Sequence, residues 1–238
     1  MLSLVILLSS LIILFLVLFS LYYIKLRNKK IIQRYPSQYS QEKNFKNKPL
    51  MILGPSGVGK DTFMQMIIDK YPEIFTKCVS CTTRPKRKNE KEGINYYFIT
   101  KEKFNELDKN GQILGKFEKY GISYGTSKKI LKDMLENDKI VYFDYNIETA
   151  IKTFNDNSIE FNYIALLPPT MKELADRLRK RGTDNEESIR KRLKYAQKEI
   201  ELINKSKFLN YVIINNELLL SFYEFEMCIK KLYCHFFK

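Results

Sequence analysis

The stretch MILGPSGVGKDTFM, residues 51–64, decides how the rest of the chain is read. Gly54, Gly59 and Lys60 satisfy the pattern G-x-x-x-x-G-K-[ST], and Asp61 stands where a Ser or Thr would complete it. The apolar run PLMIL, residues 49–53, leads into the glycines as a buried strand would, and KDTFMQMIIDKY, residues 60–71, continues as a helix. In that strand–turn–helix setting, backbone N–H groups converge at a helix N-terminus, where the macrodipole favours anions. Gly54, Pro55, Ser56, Gly57, Val58, Gly59, Lys60, Asp61 and Thr62 are the residues expected to form a phosphate cradle. Lys60 is expected to reach the β- and γ-phosphates of a nucleoside triphosphate.

Working outward, short apolar runs alternate with helical periods. IVYFD (140–144), FNYIALL (161–167) and NYVIIN (210–215) read as further buried strands. Thr183 and Glu186 form a capping-box pair, followed by Ile189, Leu193, Ala196, Ile200 and Ile203 at helical spacing. Strands alternating with helices predict an α/β fold with a parallel-sheet core and helices on both faces. Asp144, ending its apolar run, is placed like an acid that approaches a nucleotide-bound metal. Residues of about 84–127 break the rhythm, being charged, turn-rich and dotted with Tyr and Phe, and read as an insertion of short strands.

The 238 residues carry a net charge of +14. Residues 1–49 hold eight Lys/Arg and one acid, half of that excess. The remainder is modest for a protein that handles polyphosphates, and no recognisable nucleic-acid motif accompanies it. Four cysteines and one histidine exclude a disulfide scaffold and a histidine-centred catalyst. Cys78 and Cys81 make a C-x-x-C in an extended run without a second pair at zinc spacing, and read as strand cysteines.

Residues 2–24 carry no charged side chain, long enough as a helix to span the ~30 Å hydrocarbon core. Lys25, Arg27, Lys29, Lys30 and Arg34 follow. The expectation is an anchor over 1–24, a basic linker over 25–48 and a single-pass protein whose main domain faces the cytoplasm. A cleaved signal sequence, leaving the domain in an organelle lumen, is the alternative.

SCTTRPKR (80–87), EGINYYF (92–98), ISYGTS (122–127), PPTMKELADRLRKRGT (168–183) and EESIRKRL (186–193) occur in an order and at separations that resemble the guanylate kinase family of nucleoside monophosphate kinases. The resemblance covers about residues 50–236. It implies one catalytic domain over 49–236, an acceptor-binding insertion over about 84–127 and a lid over about 181–192. It implies ATP as donor with Mg²⁺, and GMP as acceptor. Arg84, Arg87, Tyr96 and Tyr124 match the acceptor-phosphate clamp, and guanidinium forks suit a dianion bidentately. Ser80, Thr126 and Asn146 fall at base-reading positions. Arg181 and Arg192 match the lid arginines, Asn215 a position near adenine, and Asp61, Thr62 and Asp144 the metal-binding positions. Catalytic roles fall to Lys60, Asp144, Arg181 and Arg192.

Three positions depart from the family. Asp61 replaces a metal-binding hydroxyl; a carboxylate is a hard ligand for Mg²⁺. Without the metal it would repel triphosphate by about 4 kcal/mol at ~4 Å and an effective dielectric of 20. Gly115 and Asn146 stand where the family reads guanine's N1–H and N2–H₂ with carboxylates, and Glu118 lies nearby. The expectation is ATP + GMP ⇌ ADP + GDP, with three alternatives. These are a related kinase with altered base choice, an impaired module binding a nucleotide or phosphopeptide, and a basic peripheral protein using residues 25–48 on anionic lipid or nucleic acid.

Overall fold

The computed structural model describes residues 47–88, 90–119, 121–182 and 184–237. In chain order the elements are β1 (Leu50–Leu53), α1 (Lys60–Lys70), β2 (Phe75–Lys77), β3 (Cys81–Thr82), β4 (Tyr97–Phe98), α2 (Lys101–Lys109), β5 (Ile113–Lys119), β6 (Ile122–Ser127) and α3 (Lys128–Leu135). Then follow β7 (Ile140–Asp144), α4 (Ile147–Asp156), β8 (Asn162–Leu167), α5 (Met171–Arg181), α6 (Glu186–Lys205), β9 (Tyr211–Ile214) and α7 (Leu218–Leu232), closed by a 3₁₀ turn at Cys234–Phe236.

A five-stranded parallel sheet in the order β2-β7-β1-β8-β9 forms the centre. β1 is buried along its whole length, as a strand covered on both faces must be, which is why it reads as an unbroken apolar run. Met51 and Leu53 pack with Ile147 and Ala150 of α4 and Ile203 of α6. The other face, to which Leu50 and Ile52 turn, is covered by α1 and α7; Phe63 of α1 meets the rings of Phe222 and Phe225 at 6.0 and 5.5 Å. β2, a three-residue edge strand registered Phe75 against Ile140, is too short to leave a periodic signal.

Residues 81–127 build a second sheet, ordered β4-β3-β6-β5, with β3 and β6 antiparallel and β5 and β6 antiparallel. α2 seals it: Phe104, fully buried, packs with Cys81 and Ile113. This helix was not expected in a segment read as short strands. Thr100 caps it, accepting the Lys103 N–H.

The capping box at the start of α6 is corrected. Asn185 caps the helix, its side chain accepting the Ser188 N–H at 2.8 Å, and Thr183 lies outside the described residues. Glu186 instead accepts from Arg179 Nε at 2.8 Å, joining the ends of α5 and α6. The stripe behind that cap is as the spacing predicts, with Ile189, Ala196 and Ile203 buried.

The expected anchor over 2–24 and nearly all of the linker over 25–48 lie outside the described residues. The single-pass placement, with the domain cytoplasmic or lumenal, is corrected: among the described residues no helix is long and apolar enough to cross a membrane. α7, the most apolar of them, has 15 residues and carries Glu224, Glu226, Lys230 and Lys231, and at 1.5 Å per residue it falls short of the ~30 Å core.

Candidate functional site

The cleft at the C-terminal edge of the central sheet follows from strand order. β1 and β7 are neighbours with Ile52 opposite Asp144, so the loop leaving β1 and the carboxylate ending β7 open side by side. Crevices outside the carboxyl ends of parallel strands are where α/β sheets bind ligands. Here the cleft measures about 510 Å³ and is lined by Gly54, Ser56, Gly57, Gly59, Lys60, Asp61, Thr62, Asp144, Tyr145, Asn146, Arg177, Arg181 and Glu199.

Gly54 must be glycine: its φ is 136°, and an added Cβ would run into the Leu166 carbonyl oxygen. The loop then turns on itself, Val58 N–H bonding the Pro55 carbonyl at 3.2 Å. It enters α1 at Gly59, which offers no capping side chain. Asn215, at the end of β9, lies beneath the loop rather than in the cleft and donates through Nδ2 to the Val58 carbonyl at 2.8 Å. The Lys60 ammonium donates to the Gly54 carbonyl at 2.6 Å and stands 3.6 Å from Asp144 Oδ1.

Negative groups gather around that lysine. Asp144 has its carboxyl pushed up by burial, with Lys60 opposing the shift and Asp61 adding to it. Glu199 of α6 is pushed up to about 7 by burial, opposed by Lys60 and reinforced by Glu148 and Asp144. Asp61 and Thr62 sit exposed in the first turn of α1. Among the described residues no group of three His, Cys, Asp or Glu is gathered into a metal cage. Two carboxylates beside a glycine-rich loop fit Mg²⁺, which keeps several waters and takes its remaining oxygens from one or two carboxylates and from phosphates.

The two arginines expected in a lid, Arg181 and Arg192, lie on α5 and α6. Arg181 borders the cleft. Arg192 reaches the loop, Nη1 donating to Ser56 Oγ at 3.0 Å while Nε donates to Asp184 at 3.0 Å. Arg177, unmarked in the sequence reading, also lines the cleft; its Nη2 holds the Asn215 carbonyl at 2.9 Å and its Nε holds Glu173 at 3.1 Å.

A second cluster sits on the small sheet. Arg84 lies over Tyr96 and Phe98, 5.1 and 5.4 Å from their centroids, and both its terminal nitrogens donate to Glu90. Tyr124 joins through Tyr96 at 6.0 Å and stacks on Phe117 at 4.8 Å. Glu90 also accepts the Arg87 backbone N–H at 2.9 Å, and its carboxyl is held down to about 2, chiefly by Arg84. The Arg87 side chain is exposed. Arg84, Arg87, Tyr96 and Tyr124 are thus brought together, around a glutamate the sequence reading passed over.

Between the two clusters the Tyr145 hydroxyl hydrogen-bonds the Thr126 hydroxyl, which lies 3.2 Å from that of Ser80. Asn146 caps α4, its Oδ1 accepting the Thr149 N–H at 2.8 Å. Glu118 is exposed and pairs opposite Ser123, away from this polar group. Cys78 and Cys81 are buried thiols, the first pushed up to about 12, which leaves them poor nucleophiles.

Comparison with known proteins agrees with this layout. The family described as "Guanylate kinase" matches residues 46–232. A guanylate kinase of Clostridium perfringens (strain SM101 / Type A) is 38% identical over 174 residues, 73% of this chain and 78% of its own length. Guanylate kinase 1 of Arabidopsis thaliana is 37% identical over 185 residues, 78% of this chain and 46% of its own length. The crystal structure of guanylate kinase from Anaplasma phagocytophilum superposes with a TM-score of 0.53 at 28% identity, covering 78% of this chain and 85% of that one.

Proposed function

The chain belongs to the guanylate kinase family, and on that premise we propose that it transfers the γ-phosphoryl group of ATP to GMP, giving ADP and GDP. The observation that carries the reading is the Lys60 ammonium, poised between the loop carbonyl of Gly54 and Asp144 in a cleft that Arg177 and Arg181 border. Residues 49–236 act as one catalytic unit, with residues of about 84–127 receiving the acceptor and about 181–192 covering the donor.

The reaction is an in-line displacement at the γ-phosphorus by an acceptor phosphate oxygen, with no covalent enzyme intermediate. The amides of residues 54–59 and Lys60 hold the donor phosphates, and Asn215 keeps the loop in shape from below. Arg84, Arg87, Tyr96 and Tyr124 hold the acceptor phosphate; Glu90 pre-sets Arg84, so that little rearrangement is needed when the dianion arrives. Arg181 and Arg192 set positive charge against the transferring group, where it matters most in the transition state. Asp61 or Thr62, with Asp144, would hold Mg²⁺, which when bound neutralises charge across the β- and γ-phosphates. Ser80, Thr126 and Asn146 border the base.

The test is ADP formation by the full chain from ATP and Mg²⁺ against GMP, AMP, CMP and UMP. Turnover with GMP and none with either pyrimidine nucleotide is expected. Absence of turnover with all four, in a chain that melts cooperatively, would overturn the proposal.

A further inference from the structure

Gly115 sits in β5 with φ 61°, inside the register shift between Leu114 and Phe117. A Cβ added there would meet Tyr145 Cε2 at 2.6 Å and Thr149 Cγ2 at 2.9 Å. The left-handed backbone, Tyr145 and Thr149 together leave no room for a side chain at residue 115, and the phenol ring occupies the space such a side chain would cross. Where the family resemblance leads one to expect a carboxylate at 115, the space is filled by a ring from the end of β7 in the other sheet.

The polar character of the place changes with that exchange. Tyr145 borders the cleft, and its hydroxyl is joined through Thr126 to Ser80. Burial holds the phenol neutral, its pKa pushed well above the ordinary tyrosine value. Thr126 is fully buried, so its hydroxyl depends on these partners. Asn146 turns its Oδ1 to the Thr149 N–H, spending one of its two lone pairs there, and as an amide it brings two hydrogen donors where a carboxylate would bring acceptors alone. A carboxylate accepts only and can hold two N–H donors at once; a hydroxyl gives one hydrogen and accepts through its oxygen.

We infer that Tyr145 is the specificity-determining residue of the acceptor site, its hydroxyl, held from behind by Thr126 and Ser80, reading the N1–H and 6-oxo edge of a purine and leaving the 2-amino group unread. The acceptor class is then the 6-oxopurine nucleoside monophosphates, GMP and IMP alike. In one polarisation of the hydroxyl chain, Ser80 donates to Thr126, Thr126 donates to the Tyr145 oxygen, and the Tyr145 hydroxyl gives its hydrogen to the purine O6 while its remaining lone pair accepts N1–H. This inference rests on the phosphoryl-transfer reading above and adds its base selectivity.

The test uses the full chain, with GMP and IMP binding measured by calorimetry and, in parallel, ADP formation with each. The expected result is GMP and IMP within about 10-fold of each other in Kd and in kcat/KM, whereas a site holding both donors of guanine on a carboxylate would separate them by about 100-fold or more. Tyr145→Phe should weaken both nucleotides by about 10-fold, in Kd and KM, with kcat and ATP affinity within about 3-fold of the parent. A merely structural tyrosine would instead lower the melting temperature and ATP affinity together.

IMP bound 100-fold more weakly than GMP by the parent chain, or a Tyr145→Phe variant that binds both as the parent does, would overturn the inference. Were no monophosphate phosphorylated, the proposed activity would fall, while the two binding constants would still decide the role of Tyr145.

Discussion

The loop after β1 and the small sheet present ligands with two kinds of surface. The loop is made of backbone: amides around Gly54–Gly59, shaped by Leu166 above Gly54 and by Asn215 below Val58, with Lys60 as its one cation. The small sheet is made of side chains, with Arg84 gripped by Glu90 at one place and the Ser80–Thr126–Tyr145 hydroxyls at another. A backbone cradle is fixed by the fold and survives an altered neighbour, as this one stands with Asp61 in its first helical turn. A side-chain surface is rewritten whenever one ring displaces another, as at Gly115 and Tyr145. On the proposed reading, phosphate recognition would rest on backbone and base recognition on side chains within one cleft.

The widest gap between the two surfaces is opened by paired truncations. Lys60→Ala removes the cradle's cation and should cut ADP formation by about 1,000-fold or more while the melting temperature stays near that of the parent. Arg84→Ala strips the clamp and leaves Glu90 facing the acceptor dianion; acceptor KM should rise about 100-fold with ATP affinity unchanged. Equal loss of ATP and acceptor affinity in Arg84→Ala would erase the distinction between the regions.

Asp61→Ser sharpens the comparison from the donor side. With the carboxylate gone, ATP binding in the absence of Mg²⁺ should tighten by about 10-fold or more, read by calorimetry in EDTA. An unchanged metal-free affinity would show that Asp61 does not face the phosphates.

The smallest effect concerns pH. Glu199 has its carboxyl pushed up to about 7 by burial, above the ordinary glutamate value of 4.5. A carboxyl raised in the folded state favours folding in its protonated form, so its contribution is present below 4.5 and is lost as pH rises through about 7. Glu199→Gln should therefore melt above the parent at pH 8, with the difference closing toward pH 4.5, as followed by thermal denaturation across that range. A constant offset at every pH would mean that the carboxyl is not perturbed.

What could be read in advance divides along the same line. Leu50–Leu53 and Ile140–Asp144 declared themselves as apolar runs because strands of a doubly covered parallel sheet have no wet face, and Gly54 and Gly59 marked the turn. Lys60 and Asp144 came with those runs, since register alone sets them side by side. Tyr145 did not: lying between two residues that attracted attention, it counted as a spacer until the bulge at Gly115 turned it into a neighbour from another strand. Arg177 and Glu199 were equally silent, because each acts on residues brought near by folding, while Glu90 stands close in sequence to Arg84 and Arg87 in a turn with no period to mark it. α2 hid in a charged stretch whose single buried anchor, Phe104, shows no repeat.

The Asn215 amide beneath the loop sets an order in time. The cradle closes around residues 54–59, yet the prop that holds the Val58 carbonyl is made only when β9 is made. At 5–20 residues per second, the nascent chain waits on the order of ten seconds between synthesis of the loop and arrival of its support. Throughout that interval the Val58 carbonyl lacks this donor. On the proposed reading, competence for phosphate would wait on β9, and a chain stopped just short of Asn215 would carry the whole motif without that prop.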